Sequence, residues 1–226
     1  MAATYEYTPL TAPRTIRLLE LRPSKDSDPV EVSLIAKPLS NAPAFEALSY
    51  CWGDPRGRRE VICNGCPLSI TTSLFTGLEH FRPRPLSHSD SDSDSAPSRV
   101  LCADAICIHQ SDMAERSAQV QLMLSIYSLA RRVLVWLGPL SPAYSGAAVL
   151  SCIREVAADI NTKAQALWRD ANVLEADFLP LVSLLARPWF RRWVVQEVSL
   201  AREAVMCVGR IGEGAEGGEK DDEEIP

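Results

Sequence analysis

One carboxylate stands out by its position on a helix. Across the stretch from Trp189 to Arg202, helical projection puts Arg191, Arg192, Ser199 and Arg202 on a polar side. Glu197 projects the other way, among Phe190, Trp193, Leu200 and Ala201. A carboxylate inside an apolar arc is paired, raised in pKa, or turned toward a cleft, and such positions are enriched in function. Two roles stay open: a buried structural Glu held by donors such as Ser49 or Tyr50, or a group serving a crevice. Asp104 and Asp54 sit just beyond apparent strand ends, where α/β folds gather ligand sites, although the same places suit turn and cap residues. Tyr50 and Trp52 approach that edge and either line the crevice or pack the core. Trp193 lies one turn before Glu197 and either fills the core or offers a face to a cationic ring.

Other chemistries find less support. Cys63-Asn64-Gly65-Cys66 is a lone CxxC; zinc needs a second pair at finger-like spacing, and Cys102 with Cys107 does not supply it. No metal site is expected. Only His80, His88 and His109 are present and no GxSxG elbow occurs, which disfavours a Ser-His-Asp hydrolase. No GxGxxG or GxxxxGK[ST] loop marks a dinucleotide or nucleoside-triphosphate fold.

The 226-residue chain has the hydrophobic (46%) and charged (23%) fractions of a soluble globular protein. A formal net charge of −6 argues against a general nucleic-acid or anionic-membrane binder, because those partners reward clustered Lys and Arg. No apolar run reaches about 18 residues, so no membrane span is expected. The amino terminus lacks a basic start followed by an apolar stretch. Seven cysteines, an odd count, are expected to be reduced thiols, and the expected location is the cytoplasm.

The elements that must position these residues alternate in type. Strands are expected at Thr15–Leu21 and Val30–Pro38, then a short apolar run at Phe45–Cys51 ended by Gly53-Asp54-Pro55. Glu60–Cys63 and Pro67–Ile70 flank Asn64-Gly65, a tight-hairpin signal. Thr71 or Thr72 caps a short helix ending near Arg82. Val100–Ala103 is a buried-looking strand before Asp104. A helix follows, with Asp112 and Glu115 spaced as a capping box. On it Val120, Met123, Ile126, Tyr127 and Ala130 share an arc that Leu122 and Leu129 widen, so it is expected to be enclosed on most sides. Val133–Leu137 is a continuous apolar strand. Helices are expected over 142–160, 176–186 and 189–201, then a strand at Ala204–Val208. The whole implies an α/β fold, a mainly parallel sheet flanked by helices with an early antiparallel hairpin added. One domain spans 1–211. The Ser-Asp tract 87–98 inside it and the acidic tail 212–226 hold too little apolar surface to order.

Four segments together resemble the heterokaryon-incompatibility (HET) domain family of filamentous fungi. The lead-in is Tyr7-Thr8-Pro9-Leu10 with Ile16-Arg17-Leu18-Leu19. Next comes Phe45-Glu46-Ala47-Leu48-Ser49-Tyr50-Cys51-Trp52-Gly53-Asp54, similar to the family's ALSYxWGD block. The third runs from Asp104-Ala105-Ile106-Cys107-Ile108-His109-Gln110 through Glu115 and Tyr127 to Val135-Trp136-Leu137-Gly138. The fourth is Arg187-Pro188-Trp189-Phe190-Arg191-Arg192-Trp193-Val194-Val195-Gln196-Glu197-Val198. They occur in family order across roughly residues 7–209. His109 departs from the Asn expected there, which weakens any Cys107–His109 catalytic pair.

The resemblance implies a role in non-self recognition and programmed cell death, with self-association or other death-signalling proteins as partners. It also implies a distant kinship with Toll/interleukin-1 receptor (TIR) domains of innate immunity, whose fold is flavodoxin-like. Some TIR domains cleave NAD with a Glu in a Trp-x-x-x-Glu pattern, the spacing of Trp193 and Glu197. By that likeness Glu197 is the catalytic carboxylate, NAD is a substrate and no cofactor is required. Tyr50, Trp52, Asp54, Asp104 and Trp193 are then candidate ligand-binding residues. The alternative is a non-enzymatic adaptor that signals by homotypic assembly. HET domains are commonly followed by longer C-terminal regions, so the chain is also compatible with a fragment.

Overall fold

A computed structural model describes residues 3–85, 97–139, 186–187, 189, 195–209 and 224–225. Nine strands form one mixed sheet, in the order β5-β4-β2-β1-β6-β3-β7-β8-β9. The strands are β1 (Thr15–Leu21), β2 (Glu31–Pro38), β3 (Glu46–Tyr50), β4 (Arg58–Cys63), β5 (Cys66–Thr71), β6 (Arg99–Cys102), β7 (Val133–Pro139), β8 (Ala204–Gly209) and β9 (Glu224–Ile225). Among the described residues the helices are α1 (Thr72–Phe81), α2 (Asp104–Cys107), α3 (Met113–Leu129) and α4 (Val195–Ser199). The expected α/β class is therefore what the chain adopts.

The parallel part is a continuous block, β6-β3-β7-β8. Its strands are apolar apart from Glu46, Ser49 and Arg99, because both faces are covered: every residue of β3 is buried, and so is β7 from Val133 to Leu137. β1 joins the block antiparallel to β6 and β2, and β4 pairs with β5 as the expected hairpin. Its two-residue loop, Asn64-Gly65, has φ values of 49° and 80°. That double left-handed turn matches the twist of the flanking strands and explains the residue pair.

Leu18, Leu19, Leu48, Leu101 and Leu134 are at most 1% exposed and tie β1, β3, β6 and β7 into one core. Truncating any of them to Ala costs about 2–5 kcal/mol. α1 starts at Thr71, whose Oγ1 accepts from the Leu74 N–H at 3.4 Å, and packs Leu74, Phe75, Leu78 and Phe81 inward. Between α1 and β8 the Trp136 ring is held so closely that a Cβ at Gly77 would fall 3.1 Å from it, and one at Gly209 would overlap it.

Several expectations need correcting. α3 is not enclosed on most sides: Val120 and Leu124 are 58% exposed and Leu129 is 47% exposed. The helix meets the sheet through a strip carrying Gln119, Ile126 and Tyr127, where Gln119 Nε2 donates to the Thr15 carbonyl at 2.8 Å. The capping box is half formed. Asp112 caps α3 by accepting from Ala114 and Glu115 N–H groups at 2.9 and 3.0 Å. Glu115 does not return the bond; its carboxylate takes the His109 N–H at 2.8 Å and the Arg17 guanidinium at 2.9 Å. That ion pair is buried, with side chains 3% and 7% exposed, so its pull outweighs a local cap. Within the acidic tail, Glu224–Ile225 pairs antiparallel with β8, whose outer edge otherwise presents unpaired backbone groups. Residues 87–96, the helix expected over 142–160, and all but the last residue of the one expected over 176–186 lie outside the described residues.

Candidate active site

The carboxyl ends of β3 and β6 lie side by side, and the chain leaves each with chemistry-bearing residues. After β3 come Cys51 and Trp52; after β6 come Ala103 and Asp104. β3 is flanked by β6 on one side and β7 on the other. The chain leaving β3 returns toward β4 and the chain leaving β6 passes on to β7, so both departing segments share this carboxyl edge, where α/β folds gather ligand sites.

Asp104 opens α2 and folds its carboxylate back to accept from the Ala105 N–H at 2.7 Å. The Trp52 indole N–H donates to both of its oxygens, at 3.2 and 3.1 Å. Gln110 secures the same turn by donating from Nε2 to the Asp104 carbonyl at 2.8 Å. Burial raises the Asp104 pKa, and the bonds from Trp52 and the Ala105 N–H, with the Tyr50 hydroxyl nearby, only partly offset it. The Tyr50 ring is buried and its hydroxyl faces this carboxylate closely enough for Asp104 to help raise the Tyr50 pKa, after burial itself. That hydroxyl has no hydrogen-bond partner of normal geometry. It is a buried donor aimed into the site.

Glu197 is half-buried on α4. Ser49, at the end of β3, and Tyr127, from α3, hydrogen-bond to its carboxylate. Burial raises its pKa, those two bonds oppose the rise, and the negative charge of Asp104 adds to it. Ser49 is oriented in turn by the buried Trp189, whose indole N–H donates to Ser49 Oγ at 3.0 Å. With its oxygen so occupied, the single Ser49 hydroxyl hydrogen is left for Glu197. Burial also pushes the Tyr127 phenol well up, and the Glu197 charge pushes it further. Tyr127 is therefore a fixed donor across the working pH range.

Two acids with raised pKa values thus lie near enough for the Asp104 charge to act on Glu197. Like charges at close range cannot both ionise cheaply, so the pair is suited to receive a cation or a developing positive charge between its members. Trp52, 40% exposed, stands at the rim with its N–H directed inward.

Of the residues singled out by sequence, Glu197, Asp104, Tyr50 and Trp52 come together here. Asp54 does not join them by any contact: it is exposed, accepts from the Arg56 N–H at 2.9 Å and pairs with the Arg56 guanidinium at 3.2 Å. It is a turn residue. Trp193 lies outside the described residues. Tyr127 was missed as a functional group, because on the helical arc it counts only as apolar. The signal available was that a buried Tyr needs a partner for its hydroxyl. His109 is elsewhere, stacked on Tyr7 with ring centroids 4.6 Å apart, and Cys107 is buried beside Cys102, so neither forms a catalytic pair with the other.

Comparison with known proteins adds a family likeness. Residues 45–197 match the family described as "Heterokaryon incompatibility protein (HET)". The match opens at Phe45, just before β3, and closes on Glu197 itself. A curated relative from Neurospora crassa, "Heterokaryon incompatibility protein 6, OR allele", is 30% identical over an alignment covering 91% of this chain. The chain spans 35% of that relative's length. No solved structure matches significantly.

Proposed function

The chain belongs to the heterokaryon-incompatibility family, and from that membership we propose a cell-death effector of non-self recognition that binds NAD at the Glu197–Asp104 edge and hydrolyses it. The family supports the non-self-recognition and cell-death role. What supports the enzymatic part is one arrangement: a raised Glu197 held by two hydroxyl donors and acted on by the charge of a second raised carboxylate, Asp104.

The chemistry such an arrangement suits is cleavage of the bond between the ribose C1′ and the nicotinamide nitrogen. The bonding pair leaves with the nicotinamide, which departs neutral, so no general acid is required. The positive charge remaining on the sugar is stabilised by Glu197, which also serves to hold a ribose hydroxyl. Water then adds at C1′ and releases one proton, for which Asp104 offers an acceptor. The products are nicotinamide, ADP-ribose and a proton. A positively charged nicotinamide ring favours ionisation of both acids on binding, and the Trp52 face at the rim suits stacking of that ring. Release of nicotinamide by concentrated purified protein tests the proposal. No release, or equal release by Glu197→Gln, removes it.

A second role, a non-enzymatic adaptor working by self-assembly, draws on a different feature. Met113, Val120 and Leu124 recur on one face of α3 and are 61%, 58% and 58% exposed. Val120→Glu/Leu124→Glu would abolish self-association under this role and leave any nicotinamide release intact.

A further inference from the structure

At the opposite, amino edge of the parallel block the structure carries a concavity of about 590 Å³. Its walls hold five arginines, Arg82, Arg84, Arg99, Arg131 and Arg132, and a single carboxylate, Glu46. In a chain of net charge −6 such a concentration of guanidinium groups runs against the overall field. We propose that this cavity is a binding site for a small molecule bearing a di- or triphosphate group.

The positions are fixed by the sheet. Arg99 begins β6, and Arg131 and Arg132 immediately precede β7, where the Arg131 N–H donates to the Phe45 carbonyl at 2.8 Å and the Ala47 N–H donates to the Arg132 carbonyl at 3.1 Å. Glu46 is the hub. Its carboxylate takes Arg99 Nε at 2.5 Å and Arg99 Nη2 at 3.3 Å on one side, and Arg132 Nε at 2.6 Å on the other. Burial raises the Glu46 pKa, but the two arginines more than offset this and hold it below the usual range. The triad is thus a rigid cationic floor with one net positive charge. Arg82 and Arg84 flank it from the end of α1; their counter-charge, Asp26, lies at 3.6 Å from each. Arg131 is exposed. The exposed Arg84 and Arg131, beside the Glu46-bound Arg99 and Arg132 and an Arg82 held on the Asp28 carbonyl at 2.9 Å, give this concavity guanidinium donors suited to the spread oxygens of a polyphosphate. This site shares no residue with the Glu197 cluster.

The test uses inorganic pyrophosphate, ATP and adenosine, titrated into the purified chain and followed by calorimetry and thermal melting. Pyrophosphate and ATP should bind and raise the melting temperature, and adenosine should not. Arg84→Glu/Arg131→Glu, changed at the two more exposed positions, should weaken both by at least about tenfold. The charge-matched control Lys37→Glu/Arg22→Glu should weaken neither comparably. Glu197→Gln should bind pyrophosphate like the parent, which separates this site from the proposed NAD edge. Absence of pyrophosphate binding at millimolar concentration, or equal weakening by the control pair, overturns the proposal.

Discussion

The Trp189 indole N–H meets Ser49 Oγ at 3.0 Å, although the two residues are 140 positions apart. Through that bond a buried tryptophan from the segment just before α4 fixes a hydroxyl at the end of β3, and the hydroxyl fixes Glu197. The acid on α4 is therefore positioned from the sheet and not by its own short helix. Tyr127 supplies the other donor from α3. Three elements converge on one carboxylate, which is how a five-residue helix can carry a defined group.

Tyr127→Phe tests the donors. Its hydrogen bond lowers the Glu197 pKa, so losing it should raise that pKa further. The acid limb of nicotinamide release should move to higher pH, with activity at high pH falling less than activity near neutrality. A uniform drop with an unmoved limb would mean that Tyr127 only fills space.

Asp104→Asn should do the opposite. The Asp104 charge raises the Glu197 pKa; an amide removes that charge while its oxygen still accepts from Trp52. The acid limb should shift to lower pH. KM for NAD should rise as well, since a cationic ring loses one of two facing charges. An unchanged limb contradicts the coupling of the two acids.

Stability supplies an independent check on Glu197. A carboxyl whose folded pKa is raised is bound to its proton more tightly in the native state. Ionising it costs stability that the unfolded chain does not lose, and the cost appears as pH rises from the ordinary value of 4.5 through the folded one. Glu197→Gln should therefore melt progressively higher than the parent as pH rises across that window. A difference in melting temperature that is constant with pH would show the pKa not to be raised.

The Arg17–Glu115 pair makes the reverse prediction. Burial raises the Glu115 pKa, but the hydrogen bonds from Arg17 and the His109 N–H more than offset it, leaving it lowered. Its stabilisation is present above the unfolded value of 4.5 and is lost as pH falls through the folded one. Arg17→Met leaves a buried charge without its partner and should cost about 3–5 kcal/mol by chemical denaturation. Arg17→Met/Glu115→Leu should recover a large part of that. No recovery in the double variant would argue that Arg17 acts through its bonds to the Thr8 and Cys107 carbonyls instead.

What was legible in the sequence was what is local. Asn64-Gly65 specifies its own hairpin, and the unbroken apolar run at Val133–Leu137 announces a strand covered on both faces. Glu197 declared itself by being the wrong chemistry on an apolar arc, and Asp104 by following a strand. The failures are long-range. Nothing near Glu115 says that its carboxylate belongs to Arg17, 98 positions earlier, so the local capping box was the only pattern visible. The face that α3 turns to the sheet was misjudged because Val120 and Leu124 have the same apolar character as Ile126, and hydropathy cannot say which of them meets a partner. Asp54 followed a strand as Asp104 did, but Arg56 two residues on captures it.

The most direct test is a time course of NAD incubated with concentrated purified protein, quantifying nicotinamide and ADP-ribose together. The parent chain should release the two in equal amounts, and Glu197→Gln should lose at least about a hundredfold of that rate while remaining folded and at least as heat-stable near neutral pH. Equal rates from the two proteins, or no nicotinamide from either, would contradict Glu197 as the catalytic carboxylate.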